Sequence, residues 1–271
     1  MNATHNAIKI SEPKDISIEA LPYKYPMRSA VTLDAELRQI KDCVAQKFQR
    51  VMLQGLKQEW CSVVGYGPSL RDTWKDITHP CVTVSGAHDF LVACGVVPDF
   101  HVECDGREHK TKHLENPQSG CAYLMASICN PRMWELLKGH DVRYWHNANG
   151  MHVVNWIYEH DRGSILVAGG SVVGLSAIHI MGLLGYRKFR LFGFDGNFRE
   201  GARHAGPHFG PPQKVIDRKV GGKVWKTTRQ MSNACDEFTW LRDSCDCEFE
   251  VVGDGLLKAM LDTPSEVVSW R

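Results

Sequence analysis

"ILVAGGSVVGLSAIHIMGLLGYRKFRLFGFDGNF", residues 165–198, holds a complete β-α-β unit. An apolar run reaches Gly169, Gly170 and Ser171. A helical stretch follows, and a second apolar run, "FRLFGFD", closes on Asp195. The glycine turn sits where a strand ends and a helix begins, which leaves the unpaired N–H groups of a helix N-terminus within reach of an anion. Gly174, Ser176, Ala177 and Gly182 are small enough to let the helix lie close on a sheet, and His179 reads as a packed helix residue.

Outward from this unit, the chain repeats the pattern. "CSVVGY", "CVTVSG", "DFHVECD", "CAYLMAS", "DVRYWH", "SILVAGG", "FRLFGFD" and "EFEVVGDG" alternate with helical or polar stretches. Several are nearly continuous in apolar residues, as strands covered on both faces must be. The expected fold is α/β, a doubly wound and mostly parallel sheet. Upstream, Leu37, Ile40, Val44, Phe48 and Val51 recur at helical spacing behind a Thr32 N-cap, with Asp34 and Glu36 in the first turn. This predicts a helix from Leu33 to near Lys57. Residues 1–30 carry three prolines and read as an extended or partly disordered arm. Residues 1–58 are thus expected to be an arm and helix packed on a main domain of residues 59–271. Within that domain, residues 196–231 are rich in Gly, Pro, His and basic side chains and read as a long lid loop.

Composition narrows the function. With 271 residues, 43% hydrophobic, and 32 basic against 31 acidic side chains, the chain can bury a sizeable core but carries a formal charge of only +1. No general field draws it to nucleic acid or to an anionic membrane, so an anion has to be held by a local site. Neither a signal-like apolar stretch nor a run long enough to span a membrane is present, and a cytoplasmic protein is expected. The ten cysteines are scattered, with Cys61, Cys104 and Cys121 inside strand runs and only Cys245 and Cys247 close together. Reduced thiols are expected rather than a zinc knuckle built from C-x-x-C pairs.

Ligands of open α/β sheets bind outside the carboxyl ends of the strands, and four polar segments fall there. Gly65-Tyr66-Gly67-Pro68-Ser69 closes one strand; it lacks the Lys-Ser/Thr of a P-loop and the third glycine of the dinucleotide fingerprint. Its backbone can still approach a phosphate, with Ser69 as an added donor. Asp105 closes another strand and is placed for Mg²⁺ or a substrate hydroxyl, with Arg107, His109 and Lys110 beyond it for phosphate. Gly170 and Ser171 form the third segment, and Asp195 matches Asp105. The fourth is the lid, where His204 and His208, helped by Arg203 and Lys214, suit acid/base work or phosphate contact. Gly206 and Pro207 between the two histidines argue against a helical zinc pair. Tyr66 and Trp145 are candidates for stacking on a base.

Taken in order, "VVGYGPSL", "VVPDFHVECDGR", "GGSVVGLSAIHIMGLLGYRKFRLFGFDGNF" and "RHAG" resemble the motifs of the archaeal 6-hydroxymethylpterin diphosphokinase family, the MptE-like proteins. That family is related to the flagellin-modifying Maf proteins and, more distantly, to bacterial sialyltransferases. The resemblance covers roughly residues 60–255. It implies a Rossmann-like, nucleotide-dependent transferase. In one branch Mg²⁺ and ATP drive diphosphate transfer to a hydroxymethylpterin-like alcohol; in the other a CMP-activated nonulosonic sugar is the donor. Carried over by position, Gly65, Gly67, Pro68 and Ser69 face the nucleotide, and Asp105 and Asp195 hold metal or substrate. Gly170 and Ser171 offer the helix N-terminus, and His204 sits over the reaction. The expected partners are a small nucleotide and an alcohol acceptor. Diphosphate transfer is the leading expectation, sugar transfer the alternative, and a non-catalytic nucleotide-binding module the third.

Overall fold

The computed structural model describes residues 18–19, 30–167 and 170–263. Most of the N-terminal arm, and Gly169 of the glycine turn, lie outside the described residues. In chain order the strands are β1 (Ile18–Glu19), β2 (Gln49–Arg50), β3 (Trp60–Val64), β4 (Cys81–Val84), β5 (Phe100–Glu103), β6 (Ala122–Ala126), β7 (Asp141–Asn147), β8 (Leu166–Val167), β9 (Lys188–Phe192), β10 (Val215–Val220), β11 (Lys223–Thr228) and β12 (Glu248–Val252). The helices are α1 (Leu33–Ala45), α2 (Leu70–Thr73), α3 (Ala87–Ala93), α4 (Pro131–Leu136), α5 (Met151–His160), α6 (Val173–Leu183), α7 (Arg229–Ser244) and α8 (Leu256–Asp262).

All eight apolar runs read from the sequence are strands of one sheet, ordered β1-β8-β7-β6-β5-β4-β3-β9-β12, with β2 added against β7. Every pairing in that sheet is parallel. The chain lays β3 to β8 side by side in one direction. It then returns through α6, which packs across β3, β4 and β5, and places β9 on the opposite side of β3. Strand order reverses there, so a crevice opens at the carboxyl ends of β3 and β9, the switch point where doubly wound sheets bind ligands. The core beneath is dry and aromatic. Trp145, Tyr123 and Phe189 are fully buried, and Trp145 gives its Nε1–H to the Leu124 carbonyl at 3.0 Å. Trp145 is therefore a core residue and cannot stack on a base.

Two expectations are corrected. Thr32 caps α1 as expected, accepting the Ala35 N–H, but the helix ends at Ala45 rather than near Lys57. Lys47 turns the chain with a φ of 56°, Gln49–Arg50 joins β7, and the Val51 N–H donates to the Tyr144 carbonyl at 2.8 Å. Within residues 196–231, only the part up to 214 is irregular. Residues 215–228 form the antiparallel hairpin β10-β11, turned at Gly221 and Gly222, whose φ angles of 59° and 73° suit a two-residue hairpin turn.

One buried polar network lies under β7. The Asp161 carboxylate accepts from Arg50, from the Tyr144 hydroxyl at 2.9 Å, from Ser164 Oγ at 2.6 Å and from His146 Nε2 at 2.8 Å. His146 Nδ1 then accepts from Ser127 Oγ at 2.7 Å. The connectivity matches a serine nucleophile, base and orienting acid. Ser127 and His146 are nevertheless wholly buried and Asp161 is 3% exposed, so no substrate reaches them and the network is structural. His146 stays neutral because burial lowers its pKa by more than Asp161 raises it.

Candidate active site

A cavity of about 330 Å³ occupies the switch-point crevice. It is lined from the carboxyl ends of β3, β5, β7, β8 and β9 and from the lid. Gly65, Gly67, Pro68, Asp105, Arg107, Gly170, Ser171, Asp195, His204 and His208, all singled out from the sequence, line it. Ser69 lies behind, and Lys214 is an exposed lid residue outside the lining.

The turn after β3 is locked to the turn after β9. Gly65 N–H donates to the Phe192 carbonyl at 2.8 Å and Gly67 N–H to the Gly193 carbonyl at 2.9 Å. A Cβ on Gly67 would collide with Asp195 Oδ2 and stand 2.5 Å from the Gly193 carbonyl, so only glycine fits. The Ser69 N–H donates to Asp195 Oδ2 at 3.1 Å. These N–H groups were expected to stay free for phosphate. They are spent on closing β3 against β9 and on seating Asp195, and the turn's contribution to the cavity is its shape. Asp195 is 6% exposed; burial raises its pKa, with Ser69 acting in the opposite direction.

The glycine turn before α6 is also occupied. The Ser171 N–H donates to Glu237 Oε2 of α7 at 2.7 Å, while Gln230 Nε2 donates to the Ser171 carbonyl at 2.9 Å. The protein itself supplies a carboxylate at this turn. Ser171 Oγ, by contrast, is buried with no hydrogen-bond partner among the described residues.

Beyond β5 lies a dense charge cluster. Arg107 grips Asp105 with Nε at 2.9 Å from Oδ1 and a terminal nitrogen at 2.5 Å from Oδ2, and its own N–H meets Oδ1 at 3.0 Å. Lys110, almost buried, has Nζ 3.7 Å from Glu103 Oε2, 3.9 Å from Asp105 Oδ2 and 3.1 Å from Ser85 Oγ. Burial raises the Asp105 pKa, but Arg107 and Lys110 outweigh it and hold the carboxyl below its usual value. Glu103, 1% exposed, is pushed up by burial, and its Oε2 has no hydrogen-bond partner among the described residues. Two polar residues of α1 brace this edge from behind. Gln39 Nε2 donates to the Gly106 carbonyl at 3.0 Å, and Glu36 accepts from Asn149 at 2.8 Å.

The lid closes the cavity with imidazoles and a cation. His204 stacks on Tyr66 with ring centres 5.4 Å apart, and His208 lies 4.3 Å from His204. His113, behind Tyr66, is 5.6 Å from His208. Burial and neighbouring positive groups lower His204 to about 3 and His113 to about 4, and lower His208 and His109 as well. Arg203 is lowered by burial and by Arg107. Among the described residues the Nε2 atoms of His109, His113 and His204 and the Nε of Arg203 are buried without hydrogen-bond partners. Unpaired buried polar groups are costly, and those of His109, Arg203 and His204, which line the cavity, mark a place for a multidentate anion.

A Mg²⁺ ion on Asp105 and Asp195 does not fit this arrangement. Both Asp105 oxygens are engaged by Arg107, and Asp195 Oδ2 takes the Ser69 N–H. Sequence reading missed Glu103 and Asn147, whose buried Oδ1 in the cavity wall has no hydrogen-bond partner among the described residues. An acid ending an apolar strand was the available signal for Glu103. Glu237, 66 residues from Ser171, has no local signature.

A model of the family described as 6-hydroxymethylpterin diphosphokinase MptE-like matches residues 34–201. The chain belongs to this family. This MptE-like chain is also similar to the solved structure of a Maf glycosyltransferase from Magnetospirillum magneticum AMB-1, with a TM-score of 0.64 and 17% identity over 82% of this chain. It spans only 37% of that protein's length, and at this identity the likeness is one of fold. No curated protein matches the chain. Among the described residues no helix is long and apolar enough to cross a membrane.

Proposed function

We propose that this MptE-like chain is a nucleotide-dependent transferase that moves a sugar from a nucleotide-activated donor, of the CMP-nonulosonic type, to an alcohol. The observation that carries the reading is the convergence of Arg107, Lys110, Arg203 and the lid imidazoles on one switch-point cavity, where Arg203 Nε and the Nε2 atoms of His109 and His204 are buried with no hydrogen-bond partner among the described residues. In such a transfer the acceptor oxygen bonds to the anomeric carbon as the bond from that carbon to the donor's phosphate oxygen breaks. The electron pair leaves on the phosphate, where fixed cations stabilise it. In this reading His204, neutral at pH 7, takes the hydroxyl proton on whichever ring nitrogen carries no hydrogen, and the bound phosphate's negative charge raises its basicity. A Maf glycosyltransferase shares this fold, and the reading borrows its class of chemistry from there as a proposal.

Family membership favours a second reading, diphosphate transfer from ATP to a hydroxymethylpterin-like alcohol. There the acceptor oxygen attacks the β-phosphorus and AMP departs. Mg²⁺ would supply further charge neutralisation, and Arg107 would first have to release Asp105.

Thermal stabilisation by CMP, CDP, AMP and ATP, with and without Mg²⁺, separates the readings, because a ligand of the native state raises its stability. Metal-independent stabilisation by the cytidine nucleotides, followed by sugar transfer detected by mass, is the expected result. A Mg²⁺-dependent response to ATP with AMP release replaces sugar transfer by diphosphate transfer. Absence of any response removes the nucleotide from both.

A further inference from the structure

At the opposite, amino edge of the sheet a second cluster stands apart from the cavity. His79 precedes β4, Cys81 opens β4, and Asp99 immediately precedes β5. His79 Nδ1 lies 2.6 Å from Asp99 Oδ2 and 3.9 Å from Cys81 Sγ, and one ligand atom from each of the three falls within 4.8 Å of the others. The Cys81 N–H also donates to Asp99 Oδ2 at 2.7 Å, which fixes the carboxylate against the strand end.

We propose that His79, Cys81 and Asp99 form a three-ligand site for a borderline divalent cation, Zn²⁺ first, that ties the β3–β4 connection to the start of β5. Nitrogen, sulfur and carboxylate oxygen are the donor set that Zn²⁺ takes, and a tetrahedral ion holds such atoms about 3.3–3.5 Å apart. The present spacings lie on either side of that range, so a small opening of the His79–Asp99 pair admits the ion. His79 and Asp99 have side chains 53% and 40% exposed, so two of the three ligands meet solvent, from which a water can supply the fourth. As the metal–sulfur bond forms, the thiol proton passes to water. The cluster escapes the C-x-x-C pattern because its ligands come from two strand ends that only the parallel sheet brings together.

The test uses the full chain freed of metal by a chelator and titrated with Zn²⁺ and with Co²⁺. Expected are one equivalent of Zn²⁺ bound with a saturable rise in Tm, and thiolate-to-cobalt absorption in the Co²⁺ form. Cys81→Ser abolishes the absorption, and His79→Ala, an exposed change that leaves the core intact, weakens binding about tenfold or more. Three results overturn the proposal: no saturable binding, binding that His79→Ala leaves unchanged, or absorption that survives Cys81→Ser and disappears in Cys245→Ser. The second outcome would place the ion among the lid histidines, and the third at the C-x-C pair.

Discussion

Two buried polar regions of similar composition, a few strands apart, have opposite hydrogen-bonding states. Around Asp161, the arginine, tyrosine, histidine and serines all have partners, and the carboxyl is held well below its ordinary pKa despite burial. Around the switch-point cavity, Arg203, His109, His113, His204 and Glu103 each keep a buried polar atom with no hydrogen-bond partner among the described residues. A satisfied network rigidifies, whereas an unsatisfied one lowers stability unless a ligand completes it. Similar side chains therefore serve the fold in one region and a ligand in the other.

The comparison breaks most visibly at its satisfied end. Asp161→Ala leaves His146, Tyr144 and the Arg50 guanidinium without their acceptor, and about 3–5 kcal/mol of unfolding free energy is expected to go, read by denaturant titration. Removing a group from the other region has the reverse signature. Arg203→Ala is expected to weaken donor binding by about 10- to 100-fold, the worth of a hydrogen bond to a charged group, while leaving the denaturation midpoint unchanged or slightly raised. Calorimetry beside melting curves tests both halves; a large loss of stability would show that Arg203 belongs with the structural network.

The comparison can also be sharpened by pH. His113 and His204 titrate near 4 and 3 in the folded chain but near about 6.5 when unfolded. As pH falls from about 6.5 toward 4, the unfolded chain takes up protons that the folded chain refuses, so stability declines across that window. His113→Gln is expected to flatten the decline. A bound phosphate donor, which raises these pKa values, flattens it too, and a decline insensitive to both would locate its cause elsewhere.

The sheet could be read from the sequence because strands buried on both faces are written as continuous apolar runs, and α6 because its glycine turn punctuates one. The end of α1 could not: Phe48 and Val51 continue the helical spacing, and nothing local announces that Lys47 turns the chain. The hairpin β10-β11 hid behind charge, since most of its outward residues are exposed. The Gly221-Gly222 pair between two six-residue runs was its one signal. Site residues at strand ends, Asp105 and Asp195, could be found by position. Their partners could not, because whether an N–H is free or already bonded to another turn depends on contacts distant in the chain.

The locking of the β3 turn to the β9 turn also sets an order of events in time. Ser69 and Asp195 are 126 residues apart. At ordinary synthesis rates the ribosome needs about 6–25 s to deliver the second after the first. Throughout that interval β3 has one edge without its neighbour, and the "WCSVV" strand can pair with another chain. The crevice cannot form before β9 is in place, and a nascent chain stalled before β9 exposes an aggregation-prone edge where the finished protein holds its site.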